Sequence, residues 1–151
     1  MPNEIHADYS SGNTLYAVIR DSEGQVWHVA GQTFETWGDD GHTANDYAIL
    51  LADSGGSRYI GDFDLNIPVG SYFVQVFRQI GATPADNDEL VSSRGMLWTG
   101  SGELTAVKIL VNKAVQDKAT GRIDFYDDNG QTVLLTLTPW DTQASIARLP
   151  G

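Results

Sequence analysis

Apolar and polar positions alternate with a period of two along most of this chain, which is the pattern of half-buried β-strands rather than of helices. The clearest run is Ser71 to Gln79 (SYFVQVFRQ), with Tyr72, Val74 and Val76 on one face and Phe73, Gln75 and Phe77 on the other. Thr14 to Arg20 (TLYAVIR) and Gln25 to Val29 (QVWHV) read as two strands, and Asp21-Ser22-Glu23-Gly24 supplies turn chemistry that joins them as a hairpin. Tyr47 to Leu51, Arg58 to Phe63 and Val91 to Trp98 read as further strands, separated by the turn Asp53 to Ser57 and the acidic loop Ala82 to Glu89. Gly31 to Asp46 shows no sustained period and reads as a long surface loop, where binding functions are usually placed.

Ile67-Pro68-Val69-Gly70-Ser71-Tyr72 carries a more specific expectation. Proline fixes the entry to a turn, glycine takes the strained position, and the tyrosine opens a long strand. A tyrosine placed there can turn its hydroxyl back onto the preceding backbone, the tyrosine corner of β-sandwiches. Leu104 to Val115 fits two patterns. Leu104, Val107, Val111 and Ala114 lie on one helical face, whereas Thr105, Val107, Ile109 and Val111 alternate as in a strand. The β-branched content favours a strand to about Val111, followed by a connection.

The closing segment reads as a hairpin. Gly121 to Tyr126 (GRIDFY) and Gln131 to Thr138 (QTVLLTLT) flank Asp127-Asp128-Asn129-Gly130, and Asn-Gly between alternating runs is a strong hairpin signal. Ile123, Phe125, Val133, Leu135 and Leu137 form its apolar side. Each supplies roughly 1.5–3 kcal/mol only when covered, and a two-stranded ribbon alone is marginal in water. The ribbon is therefore expected to dock, on its own sandwich or on another subunit, with Trp140 and the mostly uncharged tail beyond it extending the contact. The candidate partner-binding residues are Ile123, Phe125, Val133, Leu135, Leu137 and Trp140.

Composition sharpens this picture. The chain has 151 residues, the size of one ordinary domain or of a small domain with an appendage. Of its acidic residues 15 are Asp and only 5 are Glu, and there are 16 glycines, a balance that suits turns between short strands. The expected fold is all-β: an antiparallel β-sandwich over residues 1–111 with a C-terminal hairpin and tail over 112–151. Residues 1–111 carry 5 basic and 15 acidic groups, net −10, and residues 112–151 carry 4 and 5, net −1. The overall charge of −11 repels phosphate backbones and anionic lipid, so neither nucleic acid nor membrane is an expected partner. No apolar run approaches the roughly 20 residues of a membrane span, and no basic-then-apolar leader opens the chain. The absence of cysteine removes disulfides, thiol nucleophiles and thiolate metal sites.

Little in the sequence points to catalysis. His6, His28 and His42 show no HxH, HxxxH or HExxH spacing, so zinc gains no support from spacing. No G-x-S-x-G elbow, Walker loop or dinucleotide glycine pattern is present, and most carboxylates fall in predicted turns. The expectation is a protein that is not an enzyme and has no cofactor. Calcium is the one cation considered. Aligning an EF-hand glycine on Gly130 puts Phe125 and Thr136 where acidic ligands belong, so that match fails, and the calcium site considered is a non-EF one using Asp39, Asp40 or Asp86, Asp88. Trp37 is the candidate stacking platform of a ligand loop containing Asp39, Asp40 and His42.

At NTLYAVIRDSEGQVW, IPVGSYFVQVFRQIGATPADND and DKATGRIDFYDDNGQTVLLTLTP the chain resembles small virion structural proteins of tailed bacteriophages. Its first part resembles the immunoglobulin-like sandwich modules of baseplate, tail and capsid-decoration proteins. The resemblance touches residues 7–100 and 113–138 and carries no catalytic signature. It implies an immunoglobulin-like sandwich located in the virion, attached through its C-terminal hairpin to other virion proteins or to copies of itself. The alternative is a carbohydrate-binding adhesin module that recognises a host-surface glycan.

Overall fold

The structure, a computed structural model, describes residues 3–141 and 146–150, with side chains described through residue 139. The fold is all-β with antiparallel sheets, and the chain divides into two compact units, 1–96 and 97–151. The division falls before the 111/112 boundary expected from charge, because the segment after Trp98 packs with the closing strands. The charge contrast survives the shift: residues 1–96 carry 4 basic and 14 acidic groups, net −10, and residues 97–151 carry 5 and 6, net −1.

The first unit contains β1 (Ile5–Asp8), β2 (Leu15–Arg20), β3 (Val26–His28), β4 (Thr33–Glu35), α1 (Ala44–Tyr47), β5 (Ile49–Leu50), β6 (Ala52–Asp53), β7 (Arg58–Gly61) and β8 (Gly70–Arg78). The next strand, β9 (Glu89–Trp98), begins in this unit and ends in the second. One sheet has the order β4-β3-β2-β8-β9, with β5 also pairing β2; a second has the order β1-β7-β6.

The β2–β3 hairpin forms as predicted. Asp21 Oδ1 accepts from the Glu23 and Gln25 N–H groups, and Gly24 takes φ 83°, a conformation that glycine adopts without a Cβ penalty. β8 alternates as predicted, with Tyr72, Val74 and Val76 buried and Phe73 exposed. β2 departs from simple alternation, since Leu15 to Ile19 are all buried. It lies in the middle of its sheet and is covered on both faces. Its register with β8 (Ile19↔Val74, Ala17↔Val76) puts Ile19, Ala17, Val74 and Val76 on one face. On that side Trp27, Phe34, Tyr72 and Phe63 make a chain of ring contacts at 5.0, 5.4 and 5.9 Å. Tyr16, Val18 and Val26 face the other way, and Ala44, Tyr47 and Trp37 pack over them.

The tyrosine corner is present: the Tyr72 hydroxyl donates to the Pro68 carbonyl at 2.8 Å. Gly70 is needed there for space rather than for strain. A Cβ on it would meet the Tyr72 hydroxyl at 3.1 Å, and its φ is not positive.

Two expectations for this unit are corrected. Residues 31–46 are not an irregular surface loop. They contain β4, a 3₁₀ turn at Asp39–Gly41 and most of α1, which the reciprocal Thr43–Asp46 capping box starts. Tyr47 belongs to that helix and only Ile49–Leu50 is strand, because the cap and the burial of the Tyr47 ring override its strand propensity.

The second unit contains α2 (Ala106–Val111), β10 (Ala114–Gln116), β11 (Ile123–Tyr126), β12 (Val133–Asp141) and β13 (Ile146–Pro150), with sheet order β10-β11-β12-β13. The strand expected through Val111 is a helix. Thr105 caps it, its hydroxyl accepting from the Lys108 N–H at 3.2 Å, and Lys108 pairs with the buried Asp127 at 2.8 Å. These fixed contacts outweigh the β preference of Val107, Ile109 and Val111. The β11–β12 hairpin forms with Ile123↔Leu137 and Phe125↔Leu135 in register. It is not a lone ribbon, however, because β10 covers one edge and β13 the other.

Candidate functional site

The expected partner-binding residues do not form one exposed strip. Ile123, Phe125, Leu135 and Leu137 are half-buried. Val133 is exposed and Leu134 buried instead, because a register shift between Phe125 and Tyr126 breaks the alternation that the sequence showed. Trp140 lies in β12 opposite Ala147, and its side chain is outside the described residues.

The most exposed apolar surface of this unit is on α2, which sequence reasoning did not select. Val107, Leu110 and Val111, at i, i+3 and i+4, share one helical face and are 63%, 81% and 71% exposed. Asn112, at the helix end, donates to the Tyr126 carbonyl at 3.2 Å and to Asp128 Oδ1 at 2.9 Å, which ties the helix to the end of β11. The helical pattern was visible in the spacing of Val107 and Val111, but its Thr105 cap was needed to decide it.

The candidate ligand loop resolves differently. Trp37 packs at 4.9 Å from Tyr47, with the Arg20 guanidinium 5.1 Å over its ring, so it is half-buried rather than an open platform. Asp39 and Asp40 are exposed in the 3₁₀ turn. Asp86 and Asp88, the other carboxylates considered for calcium, are structural. Asp86 accepts from the Ala44 N–H at 2.8 Å. Asp88 accepts from Ile80 N–H, Ala85 N–H and the Tyr16 hydroxyl.

His42, from the same loop, takes part in the cluster that matters most. β3 and β4 pair with Val26↔Glu35 and His28↔Thr33, so His28 and Glu35 are diagonal neighbours on one face of the sheet. The 3₁₀ turn then brings His42 back onto them. Glu35 Oε1 accepts from His42 Nδ1 at 2.6 Å, and Glu35 Oε2 is 3.4 Å from His28 Nδ1. The two imidazole rings are 4.0 Å apart. The buried Tyr47 hydroxyl donates to Glu35 Oε1 at 2.9 Å and itself accepts from the Gly38 N–H at 3.0 Å.

Burial pushes the Glu35 carboxyl up, but the hydrogen bonds from His42 and Tyr47 and the charges of His42 and His28 outweigh it and hold the group below its usual range. The bond to Glu35 raises the His42 imidazole against a smaller opposing effect of burial. All three groups remain partly accessible, and their ligand-type atoms lie within 4.8 Å of one another, so together they could coordinate a metal ion. Of the three, the sequence reading singled out His42 for the ligand loop, set His28 aside and did not consider Glu35.

Compared with protein-family models, with characterised proteins and with solved structures, the chain shows no significant match. Its function must be read from its own residues.

Proposed function

We propose that the protein is a non-enzymatic structural module that attaches to an assembly through its C-terminal unit. In this reading the first unit is an immunoglobulin-like sandwich, the assembly is a virion, and the partners are other virion proteins or further copies of the chain. The observation that carries it is the imbalance between buried and exposed apolar groups. Among the described residues, 19 buried hydrophobic side chains belong to residues 1–96, while only Trp98 and Leu134 belong to the second unit. That second unit nevertheless exposes Val107, Leu110, Val111, Val115 and Val133. An exposed apolar face of this kind gains stability when a partner covers it. The acidic first unit keeps the exposed part of the assembly soluble. Glycan binding through Trp37 has less support, because its ring already packs on Tyr47 and beneath Arg20.

Leu110→Asp in the full chain tests this reading. It is expected to keep the circular dichroism of the wild type and to lose self-association, measured by mass photometry, or incorporation into the particle. Wild-type levels of both in Leu110→Asp and in Val111→Asp would refute the attachment role.

A further inference from the structure

The geometry points to a site for a divalent first-row transition ion of the zinc type, formed by His28 Nδ1, His42 Nδ1 and the Glu35 carboxylate, whose two oxygens face one histidine each. Two imidazoles with one carboxylate suit zinc and its neighbours, whereas calcium and magnesium take oxygen ligands almost exclusively. The site is therefore chemically distinct from the Asp-only calcium site that the sequence suggested.

One ligand atom from each residue lies within 4.8 Å of the others, and each imidazole Nδ1 already stands beside a different oxygen of the carboxylate. Tetrahedral ligands at 2.0–2.1 Å from zinc lie about 3.4 Å from one another. His28 Nδ1 and Glu35 Oε2 are already 3.4 Å apart. His42 Nδ1 and Glu35 Oε1, at 2.6 Å, need to separate by less than ~1 Å for an ion to replace the proton between them. That proton moves to His42 Nε2 or leaves to solvent.

A second observation is independent of these distances. Gly31 lies over the His28 ring, where a Cβ would stand 2.7 Å from Nδ1, the atom proposed as ligand. Its φ is not positive, so the backbone does not require glycine there; the room beside His28 Nδ1 does. Tyr47 supplies the outer support that metal carboxylates usually have: it is buried, anchored by the Gly38 N–H, and donates to Glu35. A bound ion would pin the 3₁₀ turn to the β3–β4 hairpin. Three protein ligands leave a fourth position for water or for a donor from a partner.

The full-length protein, stripped with EDTA, is titrated with Zn(II) by calorimetry, and with Co(II) by absorption to report tetrahedral coordination. The expected result is one ion per chain. His28→Ala, Glu35→Gln and His42→Ala should each raise the dissociation constant by about tenfold or more, and Gly31→Ala should weaken binding as well. His6→Ala, which alters an exposed residue of β1, should bind as the wild type does. Zn(II)-induced shifts of the His28 and His42 ring resonances in the wild type decide the matter even where a variant fails to fold. Absence of stoichiometric binding, affinity unchanged in both histidine variants, or shifts confined to His6 would overturn the site.

Discussion

Tyr16→Phe removes one buried hydroxyl, whose main partner is Asp88 and which also approaches the Ala85 carbonyl at 3.3 Å. Tyr16 is 1% exposed, its hydroxyl donates to Asp88 Oδ2 at 3.0 Å, and its ring stacks on Phe77 at 5.5 Å. Phenylalanine keeps the ring, the stack and nearly all of the volume, so no cavity term enters. A hydrogen bond to a charged group contributes about 1.5–3 kcal/mol. Asp88 retains the Ile80 and Ala85 N–H donors at 3.0 and 2.8 Å, which places the expected loss toward the lower end, about 1.5–2 kcal/mol. In urea this lowers the midpoint by about 1 M with no change in slope.

The pH dependence gives a second readout. Burial pushes the Asp88 carboxyl up, but the two N–H donors and the Tyr16 hydroxyl outweigh it and hold the group below its ordinary range. A carboxylate depressed in the folded state contributes stability above its unfolded pKa of about 3.9, and loses it as pH falls through the folded value. Removing the hydroxyl brings the folded value closer to the unfolded one. The gap between wild type and variant is therefore widest at neutral pH and closes on acidification once Asp88 is protonated in both. Tyr16 remains the donor throughout, since burial and then the bond to Asp88 drive its own ionisation far above the ordinary phenol range. Urea unfolding at pH 7, 4 and 3 measures both effects. A loss below about 0.5 kcal/mol at pH 7, or a gap that does not change with pH, would refute the reasoning.

Two further substitutions test local devices. Tyr72→Phe removes the 2.8 Å bond to Pro68 and is expected to cost about 0.5–1.5 kcal/mol in urea unfolding, with the β8 packing retained. Thr105→Ala removes the cap of α2 and should cost that helix about 1 kcal/mol, seen as faster hydrogen exchange of the Ala106–Val111 amides with the first unit unchanged.

Much of the strand content was legible because it depends on neighbours in sequence. The alternation of Tyr72, Val74 and Val76 and the turn signals at Asp21–Gly24 and Asp127–Gly130 needed no long-range contact to be read. The tyrosine corner was legible for the same reason, since donor and acceptor are four residues apart. The 104–115 segment was not, because two periods fit it and the choice rested on the Thr105 cap and on the pairing of Lys108 with a residue in another element. Val133 was misplaced because a bulge shifts the face of a strand without leaving a mark in its alternation.

The sequence by itself determined an acidic, strand-rich chain whose second part carries almost no net charge, because composition and short periodicities are properties of the chain alone. Only the tertiary structure decided which strands flank β2 and bury it on both sides, and which edges of the closing hairpin are covered. It also decided that His28, Glu35 and His42 meet. They stand seven residues apart along the chain, a spacing that matches neither a strand period nor a familiar metal-ligand motif, and their encounter depends on the β3–β4 register and on a 3₁₀ turn that folds back. Register and chain reversal are set by packing over the whole unit, and that information is distributed through the chain rather than written at the residues it brings together.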